Sequence, residues 1–459
     1  MASPVIKIRR GRDIRLIGAA NPVFQEIGLP PRVAVQPPDF RGVRVRLLAK
    51  EGDTVKVGTP VLQDKKDTDL HLVSPVSGKV VAINRGEKRA LLEIVIETDG
   101  RQEAESFLKF SAEQIKGLSR QDLVEHLTRT GLWPALRQRP FSHIASRQEI
   151  PKSIFVQAIN TEPLALDISE IFHQNPETPE AFRAGLEVLT KLTDGAVHVC
   201  AAAGATADVL KSEPGHDRVR LHHFSGPHPA GNVSTLIHYI DPIEKGDIVW
   251  YIGAEDVIRI GKTLAEGAYW PQKFVAVVGE GIEKEARTYK ETVIGAPVAF
   301  LAGGKVSEKY RYISGSVLSG RDVGLNGHLG YFHNLLTGIP AGGQREFLGW
   351  LSPGWNKFSF SKTFLSALRP GGEVSLDTNK NGGDRAIVLN HIYDKYVPLD
   401  VMTYFLIRAV IGGDIEEAER LGILECDEED FALCSFVCPS KTDIGGIIRD
   451  GLDLIEKEG

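Results

Sequence analysis

The chain has 459 residues, too many for one hydrophobic core and enough for about three domains. Its net charge of −6 provides no basic footprint for nucleic acid. Four cysteines, Cys200, Cys426, Cys434 and Cys438, are too few for a disulfide framework at this length, which fits a reducing compartment.

The opening MASPVIKIRRGRD lacks an apolar stretch, so no signal peptide is expected. From Val5 to about Asp99 the apolar period is near two, with Pro30-Pro31 and Pro37-Pro38 marking loops, so residues 1–110 are expected to be β-rich. Within it, 51–89 holds two short β-runs around a polar loop carrying Lys65 and Lys66, with Gly58 and Gly78 at tight turns. This stretch resembles the barrel-sandwich hybrid of lipoyl and biotinyl carriers, where a hairpin-tip lysine bears a swinging cofactor. Lys65 or Lys66 would be that lysine, but no Ala/Pro-rich linker follows Arg89 as a mobile carrier domain requires.

Residues 111–150 read as a helical connection. Ser119 caps a short helix with Leu123 and Leu127 one turn apart, and Gly131 stands at its C′ position. The next stretch, GLWPALRQRPF, alternates rings and guanidinium groups. Trp133, Arg137, Arg139 and Phe141, with the loop of Phe40 and Arg44, are the candidate contact to a quinone head group or a partner protein of a complex. The same composition also suits a connection packed between domains.

Residues 151–270 alternate buried strands (IFVQAIN, AVHVCAAAG, VRLHHF, DIVWYIG) with helices of period 3.6, the pattern of a Rossmann-like α/β domain. Its nucleotide motifs fail. Gly261-Lys262-Thr263 imitates a P-loop end but lies inside a helix, and Gly279-Glu280-Gly281 lacks the third glycine because Lys284 stands there. His216, His222, His223, His228 and His238 lie around SGPHPAGN without metal-ligand spacing, so no metal is expected. That loop precedes a helix, VSTLIHYI, whose N-terminus would take an anion or be capped.

Residues 271–350 return to strands and glycine-rich turns, as in a β-grasp module. Residues 351–459 comprise a linker and a C-terminal helical bundle; 397–412, interrupted by Asp400 and Arg408, reads as a buried helix and is too short for a membrane span. The acidic run 425–430 is explained by a solvated face or by favourable charge at a helix start. Cys434-x₃-Cys438-Pro439 has the spacing that ends a ferredoxin-type motif, but Phe431 and Glu428 stand where two further cysteines belong.

The blocks SPVSGKVVAINRGEKR, GLWPALRQRPF, SGPHPAGN, ISGSVLSG and DEEDFALCSFVCP, in this order, resemble the NqrA family of sodium-translocating NADH:quinone oxidoreductases. The resemblance covers essentially the whole chain. It implies an α+β multidomain architecture related to RnfC and to the flavin-bearing NADH subunit of complex I: barrel-sandwich hybrid, Rossmann-like domain, SLBB-like β-grasp module and helical C-terminus. It further implies a peripheral subunit on the cytoplasmic face of the bacterial inner membrane, working with NqrB to NqrF in a six-subunit respiratory translocase. There electrons pass from NADH, through flavins and Fe-S centres in partner subunits, to ubiquinone as substrate, coupled to Na⁺ export. No permanently bound cofactor and no catalytic residue is expected in this chain. The alternatives are a flavin- or NADH-binding catalytic subunit like its relatives, and a lipoyl or biotinyl carrier.

Overall fold

The computed structural model describes residues 4–205, 217–343, 348–355, 357–368, 372–388 and 391–458; His216 lies outside the described residues. The chain is a mixed α+β multidomain protein, with a barrel-sandwich domain, an α/β domain, a β-grasp module and a helical C-terminus. In the barrel-sandwich domain, four antiparallel strands (Arg32–Val35, Leu91–Thr98, Gly78–Arg85 and Thr54–Val55) face a smaller sheet of Val45–Leu47, Pro60–Asp64 and His71–Val73. Val33, Val80, Ile94 and Ile96 alternate along their strands and reach 0% exposure, and an irregularity in the pairing of Pro60–Asp64 leaves the adjacent Val61 and Leu62 both at 0%. Gly78 is needed because a Cβ there would strike the Glu97 carbonyl oxygen.

The α/β sheet runs Val5–Lys7, Val219–Ser225, Val197–Ala202, Ser153–Ala158, Val249–Gly253 and Arg137–Arg139; the first five strands are parallel and the last is antiparallel. Alternate strand residues serve opposite faces, Ile154 and Val156 toward the helices Thr178–Leu192 and Ala254–Glu266, Phe155 toward the helix Val233–Ile240. Gly185 and Gly261 sit where the first two helices cross, since a Cβ on either would meet a backbone carbonyl of the other, of Val257 and Ala181 respectively. The P-loop imitation around Gly261 is thus a helix-packing glycine. Gly279 (φ +95°) and Gly281 likewise lie against Gly338 of a neighbouring strand, the Gly281 N–H donating to its carbonyl at 2.8 Å.

The β-grasp sheet is ordered Arg321–Asp322, Tyr310–Ser314, Leu335–Pro340, Gln272–Val278, Thr288–Val293 and Asn21–Glu26. Its last strand comes from the N-terminus, as does the Val5–Lys7 strand of the α/β sheet. Between them, Ile14 and Leu16 enter the C-terminal core. The first 26 residues, read as part of a β-rich N-terminal region, therefore run along three other modules. The helices Thr403–Gly412, Ile415–Arg420, Ala432–Val437 and Ile444–Glu458 pack around Tyr393, Leu406, Ile423, Phe431 and Ile448. Within 397–412 the helix begins at Thr403 and is half open, Phe405 and Ile411 being exposed. No helix among the described residues is long and apolar enough to cross a membrane.

Candidate functional site

The segment from Gly131 to Phe141 lies where the barrel, the α/β domain, the β-grasp module and the C-terminal domain meet. Gly131, at φ +73°, ends the helix Arg120–Arg129, whose start is closed by a reciprocal Ser119–Asp122 capping box. The following turn, Trp133–Ala135, places Trp133 at 0% exposure. Its indole N–H donates to the Ala145 carbonyl at 2.8 Å and its ring meets Trp250 edge-on at 5.5 Å. The strand Arg137–Arg139 then pairs with Val249–Gly253, and the two-residue period sends both arginines to the same side.

There the Arg137 guanidinium is sandwiched between Tyr251 at 4.4 Å and Phe332 at 4.1 Å, and that of Arg139 lies 5.2 Å from Tyr251. Phe332 meets Phe40 at 5.7 Å, and Tyr331 lies 5.0 Å from Phe40. The result is a column, Phe40–Phe332–Arg137–Tyr251–Arg139, that unites three of the residues nominated from the sequence. Phe141 stands apart at the turn, stacked on His143 at 6.3 Å, its carbonyl accepting from Arg449 at 3.0 Å. Arg44 is exposed on a barrel hairpin, its backbone N–H donating to Asp64 at 2.9 Å, and the structure does not bring it into the column. Tyr251 is an ordinary member of an apolar strand, and Tyr331 and Phe332 follow a glycine-rich turn, so local pattern does not single them out.

Beside the column is a cavity of about 20 Å³ lined by Gln36, Asp39, Phe40, Pro134, Tyr269 and Tyr331, room for about one water. Behind Tyr331 lies a buried, charge-balanced network. Lys273 donates to the Tyr331 carbonyl at 2.8 Å and pairs with Glu255 at 3.4 Å; Glu255 also holds Arg259 at 3.1 Å, and Arg259 pairs with Asp256. Burial lowers the Lys273 amine and raises the Tyr331 phenol. These ions are structural partners of one another, and none is aimed into the cavity as an acid or base.

The acidic run does not form a solvated face. Asp427 and Asp430 are 6% and 1% exposed, and the run receives arginines from three parts of the chain. Arg139 reaches Asp427 at 3.1 Å and Glu429 at 3.3 Å, Arg449 pairs with Asp427 and, at 3.0 Å, with Glu428, and Arg41 meets Glu428 at 3.0 Å. Burial alone would raise the Asp427 carboxyl, but Arg139 and Arg449 hold it well below the usual carboxylate range. The helix-start expectation holds locally, because Asp427 and Asp430 form a capping box on the turn Glu428–Phe431. Three guanidiniums on this run were the missed signal, since separate sequence positions do not reveal which arginines will face it.

Asp430 also explains SGPHPAGN. It accepts from the Asn232 amide at 3.2 Å at the start of the helix Val233–Ile240, so the chain's own carboxylate stands near that N-terminus. The loop is otherwise engaged internally: the His228 N–H donates to Asp13 at 3.0 Å and the Gly231 N–H to Thr161 at 3.0 Å. The histidines disperse. His222 pairs with His198 at 3.0 Å and His238 with Glu425 at 2.8 Å, while His228 is buried. Lys65 and Lys66 are exposed, but their hairpin is tied down by Arg147, which pairs with Asp67 and, at 3.0 Å, with Asp69. Cys434 and Cys438 lie in the C-terminal core around Tyr393, whose hydroxyl is 3.1 Å from the Cys438 sulfur.

Comparison with known proteins matches three stretches of the chain to one family. The profile described as the NqrA N-terminal barrel-sandwich hybrid domain matches residues 6–99, that of the NqrA second alpha/beta domain matches 118–269, and that of the NQRA C-terminal domain matches 274–324. The chain is 42% identical over 457 residues to a protein of Hahella chejuensis named as the A component of a Na(+)-translocating NADH-quinone reductase, covering 99% of this chain and 100% of that one. Proteins of the same name from Alcanivorax borkumensis and Neisseria meningitidis are 41% and 40% identical, each over 99% of this chain and 100% of its own length. Among solved structures, a chain of an NAD⁺-reducing [NiFe]-hydrogenase covers 50% of this chain and 49% of its own, with TM-score 0.36 and 12% identity, too low to bear on function.

Proposed function

This chain belongs to the NqrA family of Na⁺-translocating NADH-quinone reductases, and on that membership we propose that it serves the quinone-reducing end of such a complex. In this reading NqrB to NqrF are its partners, NADH, flavins and Fe-S centres belong to those partners, and the chain is peripheral on the cytoplasmic face of the bacterial inner membrane. The observation that supports a quinone contact is the Arg137 guanidinium stacked between Tyr251 and Phe332 in line with Phe40. Stacked rings offer flat apolar contact, and the guanidinium edge offers donors to a quinone oxygen. Trp133 and Arg139 act behind this surface, as the interior support and the tie to the acidic run. A cavity of about 20 Å³ is far below the roughly 300 Å³ of small-molecule pockets, so the junction opens when a head group enters.

Two features weigh against the alternatives. Asp430 near the start of the helix Val233–Ile240 disfavours a nucleotide phosphate there, and Arg147 across the Lys65–Lys66 hairpin opposes a swinging arm. The test uses the assembled complex carrying Arg137→Ala with Phe332→Leu. The KM for ubiquinone should rise by about tenfold while NADH oxidation by an artificial acceptor is kept. An unchanged quinone KM and unchanged affinity for quinone-site inhibitors would reject the assignment.

A further inference from the structure

Residues 348–368, between the β-grasp module and the C-terminal domain, contain the short turns Gly349–Leu351 and Leu365–Leu368. Five of these residues are aromatic, four are leucine and two are lysine, and none is acidic, in a chain whose net charge is −6. The side chains divide by direction. Phe358 and Phe360 turn inward onto Phe436 at 5.7 and 6.3 Å, and Phe360 also meets Tyr396 at 5.4 Å with the Arg12 guanidinium 4.5 Å from its ring. Phe364 covers Gly354, where φ is +64° and a Cβ would collide with its ring. Outward stand Leu351, Leu365 and Leu368 at 62%, 44% and 71% exposure, with Trp355 at 46%. Lys362 is exposed in the same stretch, and the Lys357 amine lies 5.7 Å from the Phe364 ring.

The inward rings fix the segment on the C-terminal domain, so its leucines are held outward by packing. Fixed leucines and an indole accompanied by charge of one sign suit the headgroup boundary of a bilayer, where apolar groups enter and lysines meet anionic lipid. Protein interfaces are depleted in lysine, a poorer match to this stretch. We propose that residues 348–368 are a direct contact with anionic membrane lipid, through which this chain holds to the bilayer surface in addition to its contacts within the complex. The proposal does not rest on the quinone reading.

Full-length protein is sedimented at low salt with vesicles of phosphatidylcholine alone and with vesicles containing roughly one third phosphatidylglycerol. Binding is expected only to the anionic vesicles and should weaken as salt rises. Leu351→Glu with Leu365→Glu and Leu368→Glu should lower the partition coefficient by about tenfold or more, and Lys362→Glu by about fivefold. Leu108→Glu, at an equally open leucine of 67% exposure outside the segment, should leave binding unchanged. If the triple variant melts below the parent protein, Leu368→Glu alone carries the comparison. Failure of the parent protein to bind anionic vesicles, or equal partition of parent and Leu368→Glu, overturns the proposal. So does a variant that keeps its lipid binding but falls off the assembled complex, which would mark a protein interface. An unchanged ubiquinone KM in a complex carrying Leu368→Glu keeps this result separate from the quinone assignment.

Discussion

Trp133 and Arg137 are four positions apart in one aromatic and basic stretch, but the turn and strand between them give them different environments. The turn sends Trp133 inward to Trp250 and the Ala145 carbonyl, whereas the strand lifts the half-buried Arg137 between two rings. Composition singled out these aromatic and guanidinium groups, and only the strand register with Val249–Gly253 decided which side each faced. The histidines illustrate the same limit. His198 lies on a neighbouring strand, carries no motif, and stacks on Phe155 at 4.8 Å while pairing with His222. Burial, then the adjacent His222, lowers its pKa to about 4. Because the folded value is below the unfolded value of about 6.5, the unfolded chain takes up the proton first. The stabilisation from neutral His198 is therefore present above pH ~6.5 and is lost as pH falls toward about 4. Calorimetry at pH 7 and 5 should show a stability loss on acidification that is smaller by about 1–2 kcal/mol in His198→Gln. An identical loss in the variant would mean that His198 does not report this pH range.

At the scale of elements, the helices Arg120–Arg129, Thr178–Leu192, Val233–Ile240 and Ala254–Glu266 were legible as helices, the first from its Ser119 cap, as were the four central strands of the α/β sheet, whereas the edge strand Arg137–Arg139 was read as part of a helical connection. Their glycines carry a further message. Gly185 and Gly261 face each other's helix at a crossing too close for a side chain. Replacing a helical glycine by alanine normally stabilises by up to about 1 kcal/mol, but at Gly261 the added methyl would meet the Ala181 carbonyl. Gly261→Ala should therefore lower stability by about 1–3 kcal/mol, read from thermal unfolding, and a gain in melting temperature would show that the crossing relaxes. The short N-terminal strands were legible as strands but not as to destination. A three-residue strand such as Val5–Lys7 has no fold of its own and takes its place from the sheet edge that accepts it.

Across the whole molecule, two devices bind the modules. One is the N-terminal stretch, which adds strands to two sheets and puts Ile14 and Leu16 into the C-terminal core. The other is the acidic run Asp427–Asp430, gripped by Arg41 from the barrel, Arg139 from the connection and Arg449 from the last helix. Arg139 is 1% exposed, and removing it leaves Asp427 buried with less compensation. Arg139→Ala should cost about 3–5 kcal/mol and expose the C-terminal domain to limited proteolysis, whereas Arg139→Met with Asp427→Asn should recover part of the loss because the uncompensated charge is gone. Equal protease resistance of Arg139→Ala and the parent protein would show that the cluster does not hold the domains.

Local pattern was enough to establish the order of modules, their classes and the family, because hydrophobic period, turn glycines and long ordered blocks are properties of neighbouring residues that survive without coordinates. It also showed that the phosphate-binding glycine patterns and the cysteine run were incomplete. Where the nominated residues lie was decided only by packing: Phe40 joins Arg137 through Phe332, Arg44 stays outside, and Asp427 and Asp430 are buried in a run that three arginines hold. Those outcomes depend on contacts between residues separated by up to several hundred positions. The docking of modules sets such contacts, and no local pattern encodes them.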